Sequence, residues 1–368
     1  MKISYTFLNI GVWNIHGLFV NVNKYNVNKL EDPAFLNRLH DFDILCLQET
    51  QCGPQDTKSL SVQGYSLIPF HRQKSANSRY FGGSVILIKS CLRKGVKVVE
   101  SLNGDSIWLK LNKEFFHFEK DHYFNVTYAS PSSSEYAKNT DYDIFSKLEE
   151  EVIRYRTSGN VIIGGDFNAK TETGNDFVSD QMDDHSPINN LNTYIFDNPI
   201  VRKNSDKHRM DTHGQRLLEL CKNSQIRILN GRTRGDRTGK FTRYPLSLRE
   251  NPSVLDYIMV DCETIKNVKY FSILPRLGLS DHECLFLSLR TGNFTVEITE
   301  TKIEKERPFK YATVLEFTKK LNSPLIREKL KQFSINYSSS TDVSIEKMTE
   351  DLVDIMNISS ASTNTYKN

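Results

Sequence analysis

Polar side chains that could bind a metal or transfer a proton recur where apolar, strand-like runs of this sequence end. Runs at residues 7–13, 43–48, 123–128, 161–164 and 254–260 each lead into or contain such a side chain, and a further pair precedes the run at 284–289. The candidates are Asn14, Glu49, Tyr128, Asp166, Asn168, Asp256, Asp281 and His282. Because loops converge at strand ends in layered α/β folds, we expect these side chains to meet.

Three of these residues suit a divalent cation and an attacking water. A hard cation such as Mg²⁺ prefers carboxylate oxygen, and Glu49 follows an apolar run that would hold it on a rigid strand. Asp166 and Asn168 are two positions apart, so an extended chain places both side chains on one face. There they could orient one water and hold one phosphoryl oxygen. This arrangement predicts metal-assisted hydrolysis of a phosphate ester.

An oriented imidazole and a bare stretch of backbone complete the candidate site. His282 follows Asp281, and Asp256 lies inside an apolar strand, where a carboxylate needs a partner. An imidazolium beside a carboxylate can stabilise charge on a phosphoryl group or transfer a proton. Gly164 and Gly165 carry no side chain, which predicts close approach of a substrate.

Each segment taken singly also has a structural interpretation. Glu49 could be a surface acid, residues 164–168 a capped turn, and residues 280–282 a helix cap. Asp256 could belong to a buried ion pair, and Tyr128 could be a core residue with a tethered hydroxyl. The functional interpretation therefore depends on the whole set in its order along the chain.

Strand-like and helix-like segments alternate through the first 290 or so residues, which favours a layered α/β fold. Strands are predicted at residues 7–13, 43–48, 84–89, 106–111, 123–128, 161–164, 226–230, 254–260 and 284–289, and helices at 32–40, 140–156 and 215–224. Several strands are continuous apolar runs, as expected when both faces are covered. This many strands fit two sheets packed face to face and flanked by helices better than one wide sheet.

Composition describes an ordinary globular protein. The chain has 368 residues, a formal net charge of +3, and 38% apolar residues, so any surface for nucleic acid must be local. No apolar run is long enough to span a membrane and no secretory signal is recognised. The six cysteines are scattered and are interpreted as reduced thiols. We therefore expect an intracellular protein, in the nucleus, the cytoplasm or both.

The character of the sequence changes near residue 293, which predicts two domains. Residues 1–292 form the strand-rich domain, and residues 293–368 form a helical and polar tail, either a linker or the start of a truncated module. Helical patterns occur in the tail at 311–333 and 343–356. Within the first domain, residues 174–207 are rich in Asn, Asp and Ser and predict a long surface loop.

The motifs taken in order resemble the endonuclease/exonuclease/phosphatase family over residues 7–290. They are Trp13-Asn14, Gln48-Glu49-Thr50, Tyr128, Gly165-Asp166-Phe167-Asn168, Asp256-Tyr257 and Ser280-Asp281-His282. The resemblance implies a four-layer α/β sandwich. It also implies hydrolysis of phosphodiesters or phosphomonoesters that depends on Mg²⁺ or Mn²⁺.

The resemblance further implies a role for each matching position. Glu49 is similar to the family's metal ligand, helped by Asn14. Asp166 resembles the residue that activates or positions the water, and Asn168 the residue that holds the water or the phosphate. Tyr128 resembles the family's phosphate-side hydroxyl.

At the C-terminal motif, His282 resembles the phosphate-binding imidazole, oriented by Asp256, with Asp281 close to the metal or the water. The chain departs from the family pattern at two positions. His16 stands where the family usually has Asn or Asp, which affects a metal or phosphate contact. Pro131 comes one residue later than usual after the tyrosine, which affects the local turn.

Residues 229–242 resemble the endonuclease domain of non-LTR (LINE-type) retrotransposons and their domesticated relatives. Five basic side chains stand against one acid within residues 232–243, and a basic hairpin next to the active site is suited to gripping a DNA backbone. A solvated loop is the alternative. The predicted DNA contacts are Arg232, Arg234, Arg237, Lys240, Thr242 and Arg243. Residues 307–310 and the helices after them resemble the connector to the reverse transcriptase of such elements.

The sequence therefore predicts a Mg²⁺-dependent DNA endonuclease that nicks one strand and leaves a 3′-hydroxyl. Alternatives of the same fold are an abasic-site repair nuclease and an inositol or lipid phosphatase. A catalytically inactive nucleic-acid-binding module, favoured by His16 alone, is the alternative from another class. The expected partner is DNA, and the retrotransposon resemblance adds element RNA or a polymerase module; no membrane association is expected.

Overall fold

A computed structural model describes residues 2–22, 25–72, 80–178, 200–247, 249–297, 322–338 and 344–360. The chain divides into two compact units, Met1–Thr299 and Glu300–Asn368. The first unit contains the candidate site, and its last strand continues past residue 292 to Glu297.

The described part of the first unit contains strands and short helices in alternation. The strands are β1 (Lys2–Asn14), β2 (Phe19–Val22), β3 (Tyr25–Asn28), β4 (Ile44–Gln48), β5 (Tyr65–Phe70), β6 (Ser84–Lys89), β7 (Val96–Leu102), β8 (Ser106–Leu111), β9 (His122–Tyr128), β10 (Asn160–Asp166), β11 (Ile226–Ile228), β12 (Asp256–Asp261), β13 (Val268–Ile273) and β14 (Leu285–Glu297). The α-helices are α1 (Pro33–Leu39), α2 (Lys113–Phe116), α3 (Glu135–Lys138), α4 (Ile144–Arg156) and α5 (Thr212–Asn223). Short 3-10 helices lie at Lys29–Glu31, Asp56–Ser59, Ser90–Gly95 and Thr264–Asn267.

The strands build two six-stranded mixed sheets and one hairpin. The first sheet has the order β13-β14-β1-β4-β6-β5, the second has the order β11-β12-β10-β9-β8-β7, and β2 pairs with β3. β1 and β4 are parallel, as are β9 and β10, while the other neighbours are antiparallel.

The two sheets pack face to face, and helices cover their outer faces. On β4, Ile44 and Cys46 join the core cluster between the sheets, whereas Leu45 and Leu47 pack in the cluster that contains Phe35 of α1. This alternation is the two-residue period of a strand that is buried on both faces. On the other side, α4 and α5 pack against the second sheet. The predicted four-layer α/β sandwich is therefore confirmed.

The helix start signals are visible in the structure. The carboxylate of Asp32 accepts hydrogen bonds from the N–H groups of Ala34 and Phe35 at the start of α1, as expected for an N-cap. α4 begins later than predicted, because Asp143 rather than residue 140 caps it. α5 begins three residues earlier than predicted, because Asp211 is its N-cap.

Two features of the first unit correct the sequence-based picture. Five strands were not predicted, and three of them, β5, β7 and β13, lie at sheet edges. At its described ends, the predicted surface loop at residues 174–207 combines exposed residues, such as Ile200 at 73%, with the buried anchors Asp176, Arg202 and Asp206, which are at most 5% exposed. Its middle, residues 179–199, lies outside the described residues.

The second unit contains α6 (Pro324–Ser338) and α7 (Ile345–Ser360). Ile326 and Ile355 are buried, and the Tyr337 hydroxyl donates a hydrogen bond of 2.5 Å to the Asp351 carboxylate. Residues 307–321, which include the predicted connector motif and the start of the predicted helix, lie outside the described part of the chain. No described helix has both the length and the apolar character that crossing a membrane requires.

Candidate active site

The strand ends that carry the predicted side chains meet at one edge of the sandwich. Asn14 at the end of β1 is in register with Gln48 at the end of the parallel strand β4. Tyr128 and Asp166 are likewise in register at the ends of β9 and β10. β12 runs antiparallel to β10, so its first residue, Asp256, lies opposite Asp166. Parallel and antiparallel neighbours therefore bring residues far apart in the chain to the same edge.

A fully buried amide joins the two sheets at this edge. The Asn14 Nδ2 group donates hydrogen bonds of 2.9 Å to Glu49 Oε1 and 2.9 Å to Asp166 Oδ2. The backbone N–H of Asp166 donates to Gln48 Oε1 at 3.0 Å. Since β1 and β4 belong to the first sheet and β10 to the second, these bonds fix the two carboxylates relative to each other across the sheet interface.

A carboxylate and a hydroxyl hold the imidazole of His282 on the other side of Asp166. His282 Nδ1 lies 2.9 Å from Asp256 Oδ2, and His282 Nε2 lies 3.8 Å from Asp166 Oδ2. The Thr242 hydroxyl donates to Asp256 Oδ2 at 2.6 Å and accepts the N–H of Leu255. Burial alone would lower the pKa of His282, but the charges of Asp256 and Asp166 outweigh it and raise this pKa to about 10. The buried ring is therefore an imidazolium at neutral pH.

The backbone around His282 is anchored to the first strand. The Trp13 indole N–H donates to the His282 carbonyl oxygen at 2.9 Å. The Ser280 hydroxyl donates to the Asn14 carbonyl oxygen at 2.7 Å and accepts the His282 N–H at 3.0 Å. These bonds explain why Trp13 and Ser280 accompany the chemical residues in the sequence motifs.

Asp166 has the environment of a general base. Burial and the nearby charge of Asp256 raise the pKa of its carboxyl group to about 7, against the lowering effect of His282. The Asn168 N–H donates to Asp166 Oδ1 at 2.9 Å. A carboxyl group with a pKa near neutrality can accept a proton from a water at physiological pH.

Two residues of the site have left-handed backbone conformations. The φ angle is 51° at Glu49 and 45° at Asn168, and such conformations are costly for residues other than glycine. Asn168 is held in place by its Nδ2 group, which donates to the Ala129 carbonyl oxygen at 2.9 Å. Strain of this kind is typical of functional sites, because the surrounding structure must hold it.

Tyr128 and a buried arginine, which sequence reasoning missed, border the site. The Tyr128 hydroxyl hydrogen-bonds to Glu49, and burial together with the charge of Glu49 raises the Tyr128 pKa well above 10. The Arg72 guanidinium lies 5.3 Å from the Tyr128 ring centroid and forms a buried ion pair with Asp105, in which Nε lies 2.7 Å from Oδ1. No local signal marks Arg72, because Asp105 is 33 residues away in the sequence.

Asp281 connects the site to the side chains of Arg243 and His16. Asp281 Oδ2 lies 3.0 Å from Arg243 Nε, and its Oδ1 lies 3.4 Å from Nδ1 of the exposed His16. Asp281 Oδ1 is buried and accepts no hydrogen bond from any residue that the structure describes. Arg243, predicted as a DNA contact, is thus placed at this edge of the sandwich.

The charges at this edge fit a divalent cation. Among the described residues at this edge, four carboxylates stand against the three cationic groups His282, Arg243 and Lys29: Glu49, Asp166, Asp256 and Asp281. One oxygen of Asp281 has no hydrogen-bond donor, and carboxylate and amide oxygens are the donors that hard cations prefer. The buried Asp166, Asp256 and His282 also place ligand atoms within 4.8 Å of one another.

The two glycines before Asp166 have a packing role rather than the predicted role in substrate approach. A Cβ atom on Gly164 would lie 2.9 Å from Val12 Cγ2 of the facing sheet. A Cβ atom on Gly165 would lie 1.7 Å from the Thr127 carbonyl oxygen of the neighbouring strand. Both positions are filled by protein atoms, so the side chains are absent to let the strands and sheets approach.

Two predicted DNA contacts are buried, which corrects the sequence-based set. Arg232 Nη2 lies 2.6 Å from Asp176 Oδ1, and both side chains are at most 3% exposed. Thr242 is fully buried and donates to Asp256. Arg232 is therefore part of a buried ion pair, and Thr242 orients Asp256 instead of contacting DNA directly.

The exposed part of the predicted basic hairpin also lies elsewhere than expected. Arg234 and Arg237 line a cleft together with Asn160 and Asp261. These last two residues are at the start of β10 and the end of β12, opposite the strand ends that carry the candidate site. Lys240 is exposed. The hairpin is thus not a single surface next to the active site.

Two cavities open beside the candidate site, one at Asn168 and one at Tyr128. One of about 530 Å³ is lined by Asn168 and by the cationic side chains of Lys170, Arg243 and Arg249. The other, of about 290 Å³, is lined by an aromatic set that adjoins the site: Tyr128, Tyr136, Tyr142 and Phe145. Sequence reasoning missed Lys170 and Arg249, since neither lies in the basic segment at 232–243.

The Endonuclease/Exonuclease/phosphatase family model matches residues 11–282, and the chain therefore belongs to this family. Its members are hydrolytic nucleases or phosphatases. Comparison with curated proteins gives no match.

Solved structures with the same fold include DNA-processing enzymes. An AP endonuclease (LMAP) from Leishmania major is similar, with a TM-score of 0.55, 16% identity and coverage of 77% of this chain and 88% of that one. The 3′ phosphatase NExo from Neisseria, bound to a product DNA hairpin, is similar with a TM-score of 0.50 and 15% identity, and the match covers 77% of this chain and 99% of that one. The endonuclease domain of TRAS1, a telomere-specific non-LTR retrotransposon, has a TM-score of 0.44 and 12% identity, and the match covers 77% of this chain and 98% of that one.

Proposed function

We propose that this protein is a DNA endonuclease, dependent on Mg²⁺ or Mn²⁺, that hydrolyses one phosphodiester of a duplex and leaves a 3′-hydroxyl and a 5′-phosphate. One observation carries the proposal. Asn14 bridges the carboxylates of Glu49 and Asp166, and the imidazolium of His282, held by Asp256, faces them. Acid, amide and imidazole groups thus lie together at one edge of the sandwich, which is the combination that hydrolysis of a phosphate ester requires.

The residues divide the chemistry between them. Asp166, with its pKa of about 7, accepts the proton of the attacking water. The bond from water oxygen to phosphorus forms as the bond to the 3′-oxygen breaks. His282 carries a positive charge on its ring and stabilises the negative charge of the phosphoryl oxygens. Tyr128 keeps its proton and holds the Glu49 carboxylate through its hydroxyl, beside the proposed phosphate position.

Oxygen donors would hold the metal. Glu49, positioned by Asn14, is the proposed ligand, and the unpartnered oxygen of Asp281 faces the same edge. When bound, a divalent cation stabilises charge on the phosphoryl and leaving oxygens. A protonated His282 has no lone pair to offer a metal, which favours carboxylate over imidazole ligation here.

Nucleic acid is the substrate that the surrounding charges support. The cavity that contains Asn168 is also lined by Lys170, Arg243 and Arg249. Lys240, three residues before Arg243 in the chain, is exposed. Cations at these positions could hold the phosphates on either side of the cleaved bond. Residues 229–242 resemble non-LTR retrotransposon endonucleases, and this resemblance supports nicking of a chromosomal target. Such a role would require the protein to enter the nucleus. It would also require element RNA or a polymerase module as a partner.

Nicking of supercoiled plasmid at low salt tests the proposal. With Mg²⁺, the wild-type protein should convert supercoiled to open-circular DNA. Glu49→Ala and Asp166→Ala should each lower the rate by about 100-fold or more. Asp41→Asn, at an exposed carboxylate outside the site, is the matched control and should cleave normally. Absence of wild-type cleavage would favour the inactive binding module, and equal cleavage by the two alanine variants would mean that the site lies elsewhere.

An abasic-site repair nuclease is the second candidate, because of the aromatic cavity beside Tyr128. At about 290 Å³ it is close to the lower size limit of ligand pockets, and it could accept an unstacked sugar next to the cleaved phosphate. Cleavage of a duplex with one abasic site should then exceed cleavage of the intact duplex by at least tenfold. Release of phosphate from inositol phosphates, with no DNA cleavage, would instead identify a phosphatase.

A further inference from the structure

A second basic cleft lies at the end of the sandwich opposite the candidate active site. Its volume is about 670 Å³. The cleft reaches Asp261, the last residue of β12, whereas Asp256 of the candidate site is the first. At about 3.3 Å per residue, the two ends of this strand are about 17 Å apart. The basic residues that line the cleft are Lys120, Arg156, Arg232, Arg234, Arg237 and Lys266.

The acidic side chains of the cleft neutralise only part of this positive charge. Asp261 and Glu263 are the acids among the described residues that line it. The Asp261 carboxylate is occupied by the backbone N–H groups of Val161 and Thr264. Glu263 lies 4.0 Å from Lys266, and both side chains are largely exposed. The cleft therefore keeps an excess of positive charge.

A buried arginine lies beneath the surface of this cleft. The Arg232 side chain is 3% exposed, and its Nη2 group binds Asp176. Its Nε and Nη1 groups have no hydrogen-bond partner among the residues that the structure describes, and both are shielded from solvent. Arg232 therefore adds its charge to the cleft without contacting a ligand directly.

We infer that this cleft binds the phosphates of a single nucleic-acid strand, at a site separate from the one that would hydrolyse DNA. The guanidinium groups of the exposed Arg234 and Arg237 match phosphate oxygens, and six cations exceed what one isolated phosphate requires. The volume is that of a small-ligand pocket, which admits one strand. None of the described lining residues is aromatic, so contacts are made to the backbone and binding is insensitive to base sequence.

Fluorescence anisotropy of the full chain with a labelled 12-nucleotide strand tests this site. EDTA is present throughout, so that hydrolysis does not consume the probe and the result is independent of the proposed nicking activity. Arg234→Ala/Arg237→Ala removes two exposed cations of the cleft. Lys94→Ala/Lys97→Ala removes two exposed cations elsewhere and is the matched control for net charge.

The cleft variant should bind about tenfold or more weakly at 0.1 M salt. The slope of log affinity against log salt should shrink by about 1.4, because each lost contact to a single strand contributes about 0.7. The control pair should stay within twofold of wild type.

Three outcomes would overturn the inference. The first is wild-type affinity and slope in Arg234→Ala/Arg237→Ala, and the second is an equal loss in Lys94→Ala/Lys97→Ala. The third is a loss of affinity of the cleft variant for phosphatidylserine vesicles or poly-glutamate, with no loss of affinity for the strand. Equal effects on strands of different sequence would support backbone recognition.

Discussion

Replacing Asp166 by asparagine should stabilise the metal-free protein while it removes activity. The Asp166 carboxyl is 1% exposed, and burial and the charge of Asp256 raise its pKa from 3.8 to about 7. Above pH 7 the folded protein must hold this carboxylate as a buried charge, whereas the unfolded chain exposes it to water. The charge therefore opposes folding at neutral and alkaline pH, and the effect vanishes below about pH 3.8.

The expected gain follows from the shift in pKa. A rise from 3.8 to about 7 corresponds to about 4 kcal/mol of folding free energy lost above pH 7, at 1.36 kcal/mol per unit. Asparagine removes that cost. It also converts the hydrogen bonds that Asn14 Nδ2 and the Asn168 N–H donate to the carboxylate from charge-assisted bonds of about 1.5–3 kcal/mol into neutral bonds of about 0.5–1.5 kcal/mol, a loss of about 1–1.5 kcal/mol for each bond. We expect a net gain of about 1–2 kcal/mol.

Urea unfolding of wild type and Asp166→Asn at pH 8 and pH 4, with EDTA, measures this difference. The variant should be the more stable at pH 8 and should lose its advantage at pH 4. Asp41→Asn, at an exposed carboxylate, controls for the loss of one charge. Adding Mg²⁺ at pH 8 should stabilise wild type more than the variant, because a bound cation offsets the buried carboxylate.

Two results would refute the reasoning. One is a variant no more stable than wild type at pH 8 without metal, because the carboxylate would then not be a buried, uncompensated charge. The other is an equal advantage at pH 4 and pH 8, since that would show a packing effect with no link to titration. Retention of full nicking activity by Asp166→Asn would separately contradict its role as the base.

Three further outcomes are expected. Arg72→Met should destabilise the fold by about 3–5 kcal/mol in urea unfolding, because it leaves the buried Asp105 charge unpaired, and removing both charges should cost less. Gly165→Ala should abolish the folded circular dichroism spectrum, because its Cβ would lie 1.7 Å from the Thr127 carbonyl oxygen. The folded protein raises the pKa of His282 from 6.5 to about 10, and the resulting stabilisation is complete below about pH 6.5. The urea midpoint of unfolding should therefore fall as pH rises through 10, and it should fall less in His282→Gln.

Central strands were predicted well and edge strands poorly. Residues 84–89 and 106–111 match β6 and β8 at both ends, because strands covered on both faces are continuous apolar runs. β5, β7 and β13 have one neighbouring strand each and are only partly buried. Their mixed composition gives no apolar run, so their strand structure comes from pairing with a neighbour rather than from local pattern.

By itself, the sequence determined the layered α/β class and the set of side chains available for chemistry, because apolar runs and residue types are local properties. Tertiary structure alone decided how that set is used. It buried Arg232 against Asp176, 56 residues away, and paired Arg72 with Asp105, 33 residues away. It also placed the exposed arginines of the basic segment at the far end of the sandwich. Charge and spacing in a sequence cannot show which strand end a loop will face, because that depends on sheet order and strand direction.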